Sequence, residues 1–127
     1  MNNCAMEIWG RSLDIEIIFD CYADEEILES QRTACKMFLQ NASELLSEAL
    51  PQVEQYCLKN NRAEIGADRI ENIFRYVKPK TLFVKRSRGD IRKAAIICAY
   101  RFNPDDGLAI VFQNEKLVDI GSENIII

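Results

Sequence analysis

One stretch near the C-terminal end leaves the chain little freedom. From Tyr100 to Gly121 it reads Tyr-Arg-Phe-Asn-Pro-Asp-Asp-Gly-Leu-Ala-Ile-Val-Phe-Gln-Asn-Glu-Lys-Leu-Val-Asp-Ile-Gly. Leu108, Ile110 and Phe112 fall on one face of an extended segment, and Ala109, Val111 and Gln113 on the other. A period of two, bounded by Pro104-Asp105-Asp106-Gly107 and by Asn114-Glu115, marks a strand between tight turns. Pro104 presets φ for one corner, and Gly107 supplies the residue that accepts positive φ where the turn closes. Three short strands joined by two turns are expected. Such a meander needs a second layer to cover its apolar face.

That layer is legible upstream. Cys35, Phe38, Leu39, Ala42, Leu45, Leu46, Ala49, Leu50, Val53, Tyr56 and Cys57 recur at steps of three and four, as on an amphipathic helix. Asn41 followed by Glu44 resembles a capping box, which divides the region into helices over 30–40 and 42–59. Pro51 predicts a kink or restart near Leu50, and Asn60-Asn61 a stop. A third, shorter helix is predicted over 67–77, with Asp68 as its cap, Ile70, Ile73, Phe74 and Val77 on one face, and Pro79 ending it.

Strands flank the helices. Residues 5–10, with Trp9, read as a short strand, and Gly10-Arg11-Ser12 as a turn. Over 13–22, Leu13, Ile15, Ile17, Phe19 and Cys21 then alternate with a more polar face. Further strands are predicted over 81–85 and 92–102, the latter apolar on both faces and therefore central. The tail 123–127 is too apolar to remain in water and should dock. The predicted fold is α+β: a mainly antiparallel sheet of five to six strands with two to three helices packed on one face. The element order is β-β-α-α-α-β-β-β-β, in a single domain over residues 1–127.

Composition limits the chemistry. The 127 residues include no histidine, which removes Ser-His-Asp and Cys-His arrangements and the usual general base near neutral pH. Cys4, Cys21, Cys35, Cys57 and Cys98 contain no C-x-x-C pair, so they are expected as free, reduced thiols without a metal. Asp105-Asp106 reads as turn residues rather than a catalytic pair. No cofactor is implied, and the expectation is that the chain is not an enzyme. The start lacks a basic segment followed by an apolar run, and no stretch approaches the length of a spanning helix, so a cytoplasmic protein is expected.

The charges are unevenly spread. The formal net charge is −4 and the pI about 4.9. Residues 78–93 hold seven of the sixteen basic residues and one acid, Asp90, for +6; with −4 in total, the rest carries −10. The basic run has neither interleaved aromatics nor a Gly-rich cradle, which argues against nucleic acid and for a turn facing acidic surface of the same molecule. In the acidic run Asp24-Glu25-Glu26 with Glu29, negative charge would offset a helix macrodipole. If it also binds a basic partner, Glu25, Glu26 and Glu29 are the candidate contacts, with Arg86 and Arg88 as a second surface. Trp9 is either a core residue or an interface anchor.

From Leu28 onward the layout resembles a group of small, uncharacterised bacterial α+β domains. Gln31 and Ala34 with Phe38-Leu39, then Tyr56, then Val77-Lys78-Pro79 carry the likeness. Its strongest part is the run from Asn103 to Phe112, followed by Leu117-Val118-Asp119-Ile120-Gly121. The family pattern looks like Asp-Pro-Glu-His-Gly-Leu, then strand, turn and Val-Gly. Here Asn103 replaces the first Asp and Asp106 the His, so any chemistry of that His is lost. Domains of this kind are often grouped with immunity-type proteins of bacterial toxin systems, which implies a binding role.

The expected function is thus a small cytoplasmic protein-interaction module, of immunity type, that binds a basic protein. The alternatives are a structural or regulatory accessory domain that oligomerises through a sheet edge, and, disfavoured by the missing histidine, a carboxylate-dependent enzyme. No membrane partner is expected.

Overall fold

Positive φ at two neighbouring residues sets the first hairpin. In a computed structural model, which describes residues 3–86 and 90–126, Trp9 (φ 50°) and Gly10 (φ 84°) make the primed turn that matches strand twist. It joins β1 (Asn3–Ile8) to β2 (Arg11–Phe19). The first strand therefore starts earlier than predicted, and the turn falls on Trp9-Gly10 rather than on residues 10–12. Trp9 is held there because its indole N–H donates to the Leu46 carbonyl (2.7 Å) and its ring packs on Phe74 with centroids 5.7 Å apart. It sits half-buried at the margin of the core.

Helices α1 (Glu29–Gln40) and α2 (Ala42–Ile65) follow, then a 3₁₀ turn at Ile73–Arg75. Four strands complete the sheet: β3 (Val77–Val84), β4 (Lys93–Tyr100), β5 (Leu108–Gln113) and β6 (Lys116–Gly121). They stand in chain order, with β2 and β3 parallel and every other neighbouring pair antiparallel. Among the described residues the fold is α+β, with six strands in a mixed sheet and two helices, in the order β-β-α-α-β-β-β-β.

The predicted third helix is absent. Ile70, Ile73, Phe74 and Val77 have helical spacing, but Val77 is claimed by β3, where it lies opposite Tyr100. The Asn72 side chain accepts the Phe74 N–H (3.1 Å), which leaves a single 3₁₀ turn that still buries Ile73 and Phe74. Pro79 lies inside β3 rather than before it. Pairing with β2 begins only at Thr81, and the β4 register slips between Pro79 and Thr81, so the proline occupies a bulge where a strand tolerates it.

In α2 the backbone leaves helical dihedrals at Asn61 (φ −137°, ψ 33°) rather than at Pro51. The helix resumes to Ile65 and closes on left-handed Gly66, so the predicted stop is a break. Asn41 makes no side-chain cap bond. The glutamine of a cap instead appears at the start of α1, where Gln31 Oε1 accepts the Leu28 N–H (3.0 Å). The Gln31 amide also donates to the carbonyls of Asp20 (3.0 Å) and Val84 (3.3 Å). With 1% of its surface exposed, this side chain ties α1 to the ends of β2 and β3.

Both helices cover one face of the sheet. Phe38, Leu46, Val53 and Cys57 pack there on Ile15, Leu82, Ile96, Ile110 and Phe112. The alternation read in β5 holds: Ala109 and Val111 face the opposite side, where Ile126 of the docked tail covers them with Ala95. Gly107 takes φ 62°, and a Cβ there would come within 2.5 Å of the Cys98 carbonyl oxygen. Two independent demands thus reserve the position for glycine.

Candidate functional site

Parallel pairing of β2 with β3 sends both chain exits to one end of the sheet, where the Asp20 N–H donates to Val84 O (2.9 Å). The acidic segment after β2 and the basic segment after β3 therefore meet. Lys85 Nζ lies 3.6 Å from Asp20 Oδ2, and Arg86 Nε lies 3.5 Å from Glu25 Oε2. The Arg86 guanidinium also donates to the Glu26 carbonyl (3.0 Å), and its backbone N–H to Asp20 Oδ2 (3.1 Å). Glu25 Oε1 accepts the Tyr22 N–H (2.8 Å). These pairs are about one-third exposed, so each contributes at most about 1 kcal/mol. Their effect is to fix the two loops on each other.

Of the five candidate contacts, Glu25 and Arg86 are thus brought together as an internal pair. Glu26 and Glu29 present exposed side chains, Glu29 in the first turn of α1. Arg88 lies outside the described residues. Arg92, also from the basic run, is taken by Glu115 through two hydrogen bonds of 3.0 and 2.8 Å, beside the β5–β6 turn. Asp106 serves the preceding turn, with its N–H 3.4 Å from Asn103 Oδ1 and its carbonyl accepting the Glu123 N–H (3.0 Å).

A surface the sequence did not reveal lies between α2 and the edge strand β6. There an open groove of about 750 Å³ is lined by Gln55, Tyr56 and Lys59 from α2 and Leu117, Val118 and Asp119 from β6. Val118 is 53% exposed, because the β5–β6 register slips between Val111 and Phe112 and the bulge turns it outward. At one end Arg62 pairs with Asp68 (2.7 Å). Both sheet edges are blunted. On β6 the Ile120 N–H is taken by Asp119 Oδ1 (2.9 Å), and on β1 the Glu7 carbonyl accepts from Ser43 Oγ (2.6 Å). Tyr56 was readable as a helix residue, but its place in a groove depends on packing between distant segments.

Near the groove the Tyr100 hydroxyl donates to Oδ1 of Asn61 (2.6 Å), the residue at which α2 breaks, and the Tyr56 ring lies 6.1 Å from that of Tyr100. Burial pushes the Tyr100 phenol far up. Burial likewise raises the thiols of Cys35, Cys57 and Cys98, so less thiolate forms there at any given pH. All five cysteines are free. Alkylation of the folded chain at mildly alkaline pH should reach the half-exposed Cys4 and Cys21 first, and the buried three only once urea opens the fold. A mass-spectrometric time course reads this directly; equal rates at all five would mean that the core admits the reagent.

Fold and surface together define a class: a small α+β domain whose mixed six-stranded sheet carries two helices on one face and an open groove along one edge. The chain belongs to the family described as a domain of unknown function (DUF6985), whose model matches residues 2–127. Neither the curated proteins nor the solved structures give a match. Among the described residues no helix is long and apolar enough to cross a membrane.

Proposed function

We propose that this chain is a protein-interaction module without catalysis of its own, and that the α2–β6 groove is its recognition surface. The observation that carries this reading is the groove itself, with Val118 presented to solvent beside Tyr56 and Leu117. Its occupant is an amphipathic helix of a partner protein. Strand addition is disfavoured because the bulge and Asp119 block the β6 edge, which leaves the helix-in-groove mode of recognition. The partner is basic: the −10 carried outside residues 78–93, including exposed Glu26 and Glu29, would speed its approach. An immunity-type pairing is the specific form of this proposal, and the free thiols fit a reducing, cytoplasmic setting.

The test captures partners from the source cell with the wild type, with Val118→Asp and with Glu26→Gln/Glu29→Gln. The Val118→Asp chain should lose the partner while melting as the wild type does. The double glutamine variant should keep it, with slower association at low salt that converges with the wild type at high salt. A partner retained by Val118→Asp would remove the groove from the proposal.

A further inference from the structure

The basic run 78–93 is not one surface. Lys85, Arg86 and Arg92 are paired with acids, as described, but Lys78 and Lys80 enter no ion pair among the described residues. They join cations from three other parts of the chain. Arg75, Tyr76, Lys78, Ala99 and Arg101 line a pocket of about 390 Å³ where the 3₁₀ turn meets the start of β3 and the end of β4. Lys78 is shared with an adjoining recess of about 140 Å³ that Arg11, Phe74 and Lys80 also line. Among the described residues, no carboxylate lines either cavity.

We infer that this double pocket binds the phosphoryl groups of a small, multiply charged anion. The five cations lining these two cavities have no carboxylate among them, Glu71 lining only the next recess with Arg75 and Tyr76, so their like charges repel one another. An anion relieves that repulsion, and guanidinium groups match phosphoryl oxygens in geometry as well as charge. The scaffold is firm. Lys78 sits opposite Ala99 in the β3–β4 ladder, and the Arg101 N–H donates to the Tyr76 carbonyl (2.8 Å). Two guanidinium groups rest on rings, Arg11 at 4.2 Å from the Phe74 centroid and Arg75 at 5.9 Å from that of Tyr76.

The size of the larger cavity is that of a small-molecule site, at the lower end of about 300–1,000 Å³. Single-stranded nucleic acid would need free aromatic faces for its bases. Tyr76 instead stacks on Phe102 with centroids 5.4 Å apart, and Tyr100 is buried. The pocket shares no lining residue with the α2–β6 groove, so it stands or falls apart from the proposed function.

Calorimetric titration of the whole chain with inorganic pyrophosphate tests the inference. Saturable, salt-sensitive binding is expected, and Lys78→Gln and Arg101→Gln should each weaken it about tenfold, the loss of one charged hydrogen bond. Lys36→Gln, at an exposed cation of α1 that lines neither the pocket nor the groove, should leave it unchanged. Both changed side chains in the pocket are exposed, and melting curves verify that the variants fold. Independently of any variant, pyrophosphate should shift wild-type backbone amide resonances around residues 75–78 and 99–101. No saturable binding at millimolar pyrophosphate, shifts centred elsewhere, or undiminished affinity in both pocket variants would overturn the inference. So would tighter binding of a single-stranded oligonucleotide than of pyrophosphate, with affinity that grows with length.

Discussion

Replacing Phe112 by alanine is expected to cost about 3–5 kcal/mol of folding free energy, the usual range for emptying a large aromatic site. Phe112 is 2% exposed and meets Phe38 of α1 edge to face, with ring centroids 5.2 Å apart. It also lies opposite Ala94 on one side and Leu117 on the other, so little can collapse into the space it leaves. Urea melts should show a lower midpoint with an unchanged slope, the mark of lost stability without a change in unfolded surface. A loss below about 1 kcal/mol, far under the usual range, would mean that the helix-covered face of β5 is not the core.

Gln31→Ala is expected to cost about 2–4 kcal/mol, combining a cavity with the loss of hydrogen bonds inside the fold. The Asp20 carbonyl and the Leu28 N–H would each lose the amide as partner, while Val84 O would keep the Asp20 N–H. Gln31→Glu separates the two effects. It keeps the volume but sets an acceptor where the amide donates to two carbonyls, so it should remain destabilised at neutral pH. Chemical melts of both variants decide the matter. A glutamate variant as stable as the wild type would show that volume alone matters at this position.

Gln31 also illustrates what a sequence exposes. Its place among the family-like residues marked it, but its role needed the ends of two strands that lie far apart in the chain. Local signals read well: the alternation of Leu108, Ile110 and Phe112, the positive φ at Gly107, and the paired face of α1 and α2 all depend on neighbours within a few residues. The third helix failed because Ile70, Ile73, Phe74 and Val77 satisfy a helical period that the β3–β4 ladder overrode at Val77. Likewise, nothing near Glu25 announces Arg86, since only the parallel pairing of β2 with β3 brings them together. The groove and the cationic pocket are further still from local legibility. Each is lined from several separate segments, and Val118 became a surface residue through a bulge that no pattern of residue types spells out.

That same parallel pairing has a consequence for a chain made from its N-terminus onward. Glu16 meets Thr81, 65 positions downstream, and closing a loop of that length costs about 4 kcal/mol of entropy. The β1–β2 hairpin leaves the ribosome long before the strand it must join. Until β3 is made, Met6, Ile8 and Ile15 have only the emerging α1 and α2 to shield them from other nascent chains. A chain arrested after α2 therefore lacks Val77–Val84, the strand with which β2 pairs, and leaves that edge of β2 open to other chains.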